Sequence, residues 1–415
     1  MLSHICQRWR RIVYECSFHL GMHIKFTNGS PIVDMLDHFP PVPLFLEYYG
    51  PNSLRGDLTE QDELGIYHAL QLHNRVYHID LKLPPSIVHK VFVLLDGQFP
   101  KLEHLSLSFS ESHLPLIFPR AFLAPNLRYL ALPGISPPRR LRVLTSTASL
   151  VKLVLSNIQA SSYFRPRLLV ARLSSLPQLE ELSIEFSTPI PRPSTERVLL
   201  GEKGTTVTLP SLKTLRFTGV GAYLESLVAQ IRAPLLEWLV VTLFNQIVFV
   251  LPHLSYLVNN TEAFKLPTAT LAFYPDEIKV TTCPSTIKPS PFSFRVTCTQ
   301  LDWQIDCAAQ ICHALIPVLS SVETLRLFHF TQKIPIEMID SATWHDLLRS
   351  FTGVKELCIA YPLLERLSHA LQVDEIGSDP GFLPNLRYID PKNNLFTSFL
   401  DARQAMGRPV QFVTG

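Results

Sequence analysis

In "FPKLEHLSLSF" (99–109) a proline is followed by Leu102, Leu105 and Leu107 in the pattern LxxLxL. Leu105 and Leu107 are two apart, the spacing that points both side chains to one face of a short β-strand while the residues around them point to the other. The same plan returns in "APNLRYLALPGI" (124–135), "TASLVKLVLSNI" (147–158), "LPQLEELSIEF" (176–186), "LPSLKTLRFTGV" (209–220) and "APLLEWLVVTL" (233–243). Its anchors there are Leu127, Leu130, Leu132; Leu150, Leu153, Leu155; Leu179, Leu182, Ile184; Leu212, Leu215, Phe217; and Leu236, Leu239, Val241. Six copies in succession make an internal repeat. Downstream, "SVETLRLFHF" (321–330), "GVKELCIAY" (353–361) and "LPNLRYIDP" (383–391) continue it, and upstream "NRVYHIDLKL" (74–83) supplies Val76, Ile79 and Leu81.

In the clear stretch the first anchors recur every 23 to 33 residues, against about 20–29 for a leucine-rich repeat. No such unit can cover its own leucines. Stacking the strands in parallel, with a helix or 3₁₀ turn on each return path, buries the anchors in one continuous core. Residues 86–99, 223–231 and 307–320 predict return helices, and Pro100, Pro125, Pro177, Pro210, Pro234 and Pro384 stop a helix and extend the chain into the next strand. The expected fold is α/β, a leucine-rich-repeat solenoid in which a curved parallel sheet carries outer helices. A two-layer α/β domain with leucine-rich parallel strands is the competing architecture; it needs no LxxLxL register and favours longer apolar runs. The pattern is weakest over 244–300, where "KLPTATLAFYP" and "VTCTQLDWQ" keep fragments of it and "CPSTIKPSPFSF" (283–294) reads as a loop.

Composition narrows the function classes. The chain has 415 residues, 47% of them hydrophobic, enough for a continuous core. A net charge of +2 without a block of like charge argues against a nucleic-acid stripe. No run approaches the roughly 18 apolar residues of a membrane span. Seven cysteines without a CxxC pair read as reduced thiols in a cytosolic or nuclear protein.

The N-terminal stretch "LSHICQRWRRIVYECSFHLGMHIKF" (2–26) predicts an amphipathic helix, with Leu2, Ile5, Cys6, Trp9, Ile12, Val13 and Cys16 on one stripe and Gln7, Arg8, Arg10, Arg11 and Glu15 opposite. Ile5, Cys6 and Trp9, followed by Arg10 and Arg11, resemble the hydrophobic-Cys-x-x-Trp-Arg signature in the second half of an F-box. With the repeats, the chain is similar to F-box proteins of the fungal type that carry irregular leucine-rich repeats. The match to the F-box covers about 25 residues; the Leu-Pro segment and two helices that open a full F-box would fall before Leu2. The resemblance implies that Leu2, Ile5, Cys6 and Trp9 contact a Skp adaptor, which couples the family to a cullin and ubiquitin transfer while the repeats hold a substrate. Covering one end of the solenoid is the other role open to this helix.

On the strands, one outward column runs His104, Tyr129, Lys152, Glu181, Thr214, Trp238, Thr324, Glu356, and the next runs Ser106, Ala131, Val154, Ser183, Arg216, Val240, Arg326, Cys358. Aromatic and Arg side chains dominate interface energetics, which singles out Tyr129, Arg216, Trp238 and Arg326 as partner-binding residues. Neither column carries an Arg cluster that would read phosphate.

Signatures of chemistry are missing. There is no HExxH, GxSxG, P-loop or dinucleotide fingerprint, and "GVGAYLES" (219–226) reads as a strand-to-helix turn. His68, His73 and His78 recur at intervals of five, too far out of phase on a helix to converge on a metal. Cys307 and Cys312 read as buried structural thiols. Glu180, Glu181, Asp62 and Glu63 read as solvated surface, although Thr59 and Asp62 also form an approximate capping box for a helix over 57–73 that closes the N-terminal end of the array.

The expected organisation is a partial F-box helix and first strand-like segment (1–25), a linker and cap helix (26–72), the solenoid (73–395) and a C-terminal tail (396–415). The expected function is non-enzymatic, without cofactor or metal: substrate recognition in a Skp-cullin-F-box ubiquitin ligase through the concave repeat surface. A stand-alone scaffold for protein–protein interaction is the alternative.

Overall fold

The computed structural model describes residues 6–15, 23–38, 42–49, 58–109, 116–136, 142–188, 206–245, 248–283, 290–298, 301–330, 341–371, 383–390 and 393–412. It is a mixed α/β structure whose strands pair mostly in parallel. The chain folds as two units, one built from residues up to Pro191 with 204–212 and 231–233, the other from the remainder.

In the first unit β1 (Ile24–Phe26), β2 (Leu44–Tyr48), β3 (Val76–Leu83), β4 (His104–Phe109), β5 (Tyr129–Ala131), β6 (Lys152–Ile158) and β7 (Glu181–Phe186) lie side by side in chain order, each parallel to the next. The anchors set the register. Ile79, Leu105, Leu130, Leu153 and Leu182 form one row across five strands, all fully buried. Between strands run α2 (Ile32–His38), α3 (Glu60–Gln71), α4 (Pro85–Leu95) and α5 (Pro166–Leu173), while α1 (Gln7–Glu15) precedes β1.

Among the described residues parallel pairing is already present at Ile24, well before residue 73 where the anchors become legible. Accordingly α3 is no end cap: it connects β2 to β3 and packs beside α2 and α4. Thr59 does cap it, with the Asp62 N–H donating to Thr59 Oγ1 at 3.1 Å and the Thr59 N–H donating to Asp62 Oδ2 at 2.9 Å. Asp62 is not solvated surface. It is 1% exposed and also accepts the Gly29 N–H at 2.7 Å, so one buried carboxylate ties a helix start to the turn after β1.

The second unit holds β8 (Thr214–Gly219), β9 (Trp238–Leu243), β10 (Thr268–Phe273), β11 (Glu277–Cys283), β12 (Phe292–Thr297), β13 (Thr324–His329), β14 (Glu356–Ile359), β15 (Tyr388–Asp390) and β16 (Gln411–Phe412). Their spatial order is β8-β9-β12-β11-β10-β13-β14-β15-β16. The stretch that kept only fragments of the repeat is an antiparallel meander, β10-β11-β12, in a sheet otherwise parallel. Its sequence alternates with period two instead of following LxxLxL: Ala269, Leu271, Phe273, then Ile278, Val280, Thr282, then Phe292, Phe294, Val296 face the core. Pro275 and Asp276 make the turn between β10 and β11, closed by the Tyr274 N–H on the Glu277 carbonyl at 2.8 Å. Residues 292–294, expected in a loop, therefore open β12; 284–289 lie outside the described residues. The expected tail also joins the sheet, as β16 pairs with β15 after the helix Thr397–Ala405.

Connections in this unit include α6 (Gly221–Val228), α7 (Pro252–Asn259), α8 (Leu301–Ala314), α9 (Ile316–Leu319), α10 (Ser341–Leu348) and α11 (Leu364–Ala370), and α12 is the helix Thr397–Ala405. Glu225 on α6 is buried and accepts the His253 and Leu254 N–H groups, each at 2.9 Å, satisfying the first turn of α7 from outside it. Successive turns also lock together just before the first anchor. Asn126 donates to the Pro100 carbonyl (2.7 Å), Ser211 to that of Pro177 (2.9 Å) and Asn385 to that of Thr352 (3.0 Å). Gly353 takes the equivalent place before Val354, and a Cβ there would sit 2.2 Å from the Ser320 carbonyl oxygen.

Two stability measurements check these contacts. Glu225→Ala strands the buried Leu254 N–H and frees the part-buried His253 N–H to water, and should lower unfolding stability by about 1–3 kcal/mol in urea denaturation. Gly353→Ala forces the backbone apart and should cost about 1–3 kcal/mol; a melting temperature equal to the parent's would show that the turn has room.

Candidate functional site

Parallel strands in register place outward side chains of one row about 4.8 Å apart, close to the separation of stacked rings. The first unit fills such a row with rings. His23 stacks on Phe45 (centroids 4.1 Å), Phe45 on His78 (5.3 Å), His78 on His104 (4.0 Å) and His104 on Tyr129 (4.1 Å), with planes within 17° of parallel. Lys152 Nζ extends the row at 5.7 Å from the Tyr129 centroid and pairs with Glu181 at 2.6 Å. At the other end Lys25 pairs with Glu47 at 2.6 Å, and Glu47 Oε1 lies 3.9 Å from His78 Nε2. In the next outward row, Tyr49 donates its hydroxyl to Asp80 Oδ2 at 3.2 Å.

The two inner imidazoles are held neutral. Burial pushes the His78 pKa down, with Lys25 and His23 adding to it against Glu47 and Asp80. Burial and the neighbouring His78 push His104 down further, to about 4. Two imidazolium ions at this stacking distance would repel, so the stack exists in its uncharged form. The stack of partly exposed rings is bounded by two ion pairs.

Tyr129 thus belongs to a continuous ladder instead of standing alone. Arg216 is exposed on β8, and Trp238 and Arg326 are half-buried on β9 and β13. The expected columns passed directly from the Trp238 strand to the Thr324 strand, and the structure corrects this: β12, β11 and β10 lie between. Arg216 and Arg326 share a row, through Val240, Ser293, Thr281 and Thr270, but four intervening strands set them about 24 Å apart. The partner-binding residues expected in this unit do not converge on one spot.

On α1, Trp9 is 48% and Ile12 42% exposed, and Cys6 is exposed, its Sγ accepting the Trp9 N–H at 3.4 Å. Leu2 and Ile5, of the same expected contact, lie outside the described residues, as does Cys16.

His68 is exposed on α3, His73 packs its ring at 4.5 Å from Phe99, and His78 joins the ladder, so the three do not meet. Among the described residues no group of three His, Cys, Asp or Glu side chains could hold a metal ion. Cys307 and Cys312 are buried on α8; the hydrogen bond with Cys298, and then burial, raise the Cys307 thiol pKa, and burial raises that of Cys312. Among the described residues no helix is long and apolar enough to cross a membrane. No protein-family model matches the chain, and no curated protein matches it either.

The ladder was not recognised in the sequence, although His104 and Tyr129 stood together in an outward column; Phe45 and His78 join them only through the early strands β2 and β3. Its titration is testable. Depressed imidazole pKa values mean that the unfolded chain binds more protons between pH 6.5 and about 4, so the ladder's contribution is complete above 6.5 and is lost as pH falls toward 4. The melting temperature should drop between pH 7 and pH 5, and His104→Phe, which keeps a stacking ring without a proton site, should reduce that drop. The His104 C–H resonance should titrate with a midpoint near 4.

Proposed function

We propose that this chain is an F-box-like leucine-rich-repeat protein that recognises a protein substrate for a Skp-cullin-F-box ubiquitin ligase in the cytoplasm or nucleus, without catalysing a reaction itself. In this reading the strands belong to a solenoid. Its outward face is the binding surface, and α1 is the adaptor contact.

The observation that carries substrate binding is the ring ladder. Seven parallel strands align one row of half-exposed aromatic, imidazole and charged side chains, rigid because each ring is held between neighbours. Rigid amphipathic rings lose little side-chain entropy on docking, which is why such residues concentrate in interfaces. The adaptor contact is supported by the partly exposed Trp9 and Ile12 beside Cys6, at the positions that resemble the F-box signature. Their exposure favours docking over the role of an end cap, which would bury them.

Titrating purified full-length protein with a purified Skp adaptor in a calorimeter tests the assignment. Saturable binding is expected, weakened at least tenfold by Trp9→Ala with the melting temperature unchanged. Absence of binding would remove the ubiquitin reading and leave a stand-alone scaffold that uses the same ladder.

A further inference from the structure

The meander changes the chemistry of the second unit's outward face. Phe292, Phe294 and Val296 point into the core, so Ser293, Arg295 and Thr297 of β12 point out, beside Val240 and Thr242 of β9. Across the antiparallel pair, Arg295 stands directly opposite Lys279, and Ser293 opposite Thr281. Like charges directly opposite each other destabilise a sheet unless something compensates them. Glu277 does so in part, its Oε1 3.4 Å from Arg295 Nη1. That is one carboxylate against two cations.

The outward residues around the two long cations, Val240, Thr242, Thr281, Thr270 and Ala272, are all short. Beneath them Ser293 is 6% exposed, and its hydroxyl has no hydrogen-bond partner. Arg295 Nε is likewise buried without an acceptor. Burial, with the neighbouring Arg295 adding to it, holds the Lys279 pKa below its ordinary value despite Glu277.

We propose that Lys279, Arg295 and Ser293 form a binding site for a phosphoryl dianion, with the two cations supplying the charge and the Ser293 hydroxyl and Arg295 Nε–H supplying directed hydrogen bonds. An oxyanion of this kind accepts several donors at once and relieves the opposed charges, and guanidinium recognises it in a fixed geometry. The shared chemistry is the phosphoryl group, whether free in solution or carried as an ester on a protein. The site uses residues of the second unit alone and is independent of the adaptor contact.

Calorimetric titration of the full chain at pH 7.5 and low ionic strength, with inorganic phosphate, O-phosphoserine and acetate in parallel, tests this. Saturable binding of a phosphoryl probe is expected, with acetate at least tenfold weaker. Lys279→Gln and Arg295→Gln should each weaken phosphate at least tenfold, and Ser293→Ala, which removes only the hydroxyl, severalfold. Phosphate should raise the melting temperature of the parent and not of Lys279→Gln, a readout that separates lost binding from lost folding. Tenfold tighter binding of O-phosphoserine would assign the site to an ester-borne group, and equal or tighter binding of phosphate to the free anion. No saturable binding, acetate as tight as phosphate, or affinity unchanged in folded Lys279→Gln and Ser293→Ala would overturn the proposal.

Discussion

In-register parallel pairing is the constraint on which the rest of this structure depends. Once Leu105, Leu130, Leu153 and Leu182 share a row, every other position on those strands is assigned a row as well. The inward rows become a core of stacked aliphatic side chains. The outward rows become columns at the same spacing, and where their members are flat rings they stack. The ladder from His23 to Tyr129 is therefore a by-product of leucine register, its chemical character set by which residues occupy the outward positions.

The same constraint explains why the meander matters. After β9 the chain does not place its next strand alongside. It passes through α7 to β10, returns by two antiparallel steps to β12 beside β9, then crosses through α8 and α9 to β13 beside β10. The leucine-type core stays continuous across this excursion: Leu239, Phe292, Thr282, Ala269, Leu325 and Leu357 form a single row. Thr282 sits in it by donating its hydroxyl to the Phe264 carbonyl at 3.2 Å. The outward face, by contrast, acquires Arg295 and Lys279, which no reading of the LxxLxL copies places together.

Much of the fold was legible because leucine periodicity is a local signal. Return helices over 86–99, 223–231 and 307–320 matched α4, α6, and α8 with α9, and Thr59 capped α3 as its spacing indicated. The misses share a cause. Strands β1 and β2 are short and lack the repeat motif, so they read as linker, and α3 between β2 and β3 read as an end cap. Asp62 read as surface because its burial depends on Gly29, distant in the chain. Over 268–297 the signal was present as alternation and a Pro-Asp turn, masked by the search for a different period.

What the sequence alone determined is which side chains face inward and which outward, because strand geometry alternates every residue and the leucines settle the phase. What only the tertiary structure decided is which outward residues become neighbours. Strand order is set by how crossovers and turns close over tens of residues, a nonlocal choice that no window of sequence records. Hence Tyr129 could be read as an outward residue, but not as one rung of a ladder beginning at His23. Arg216 and Arg326 could be read into one column, but not as residues held apart by three strands of meander and β9.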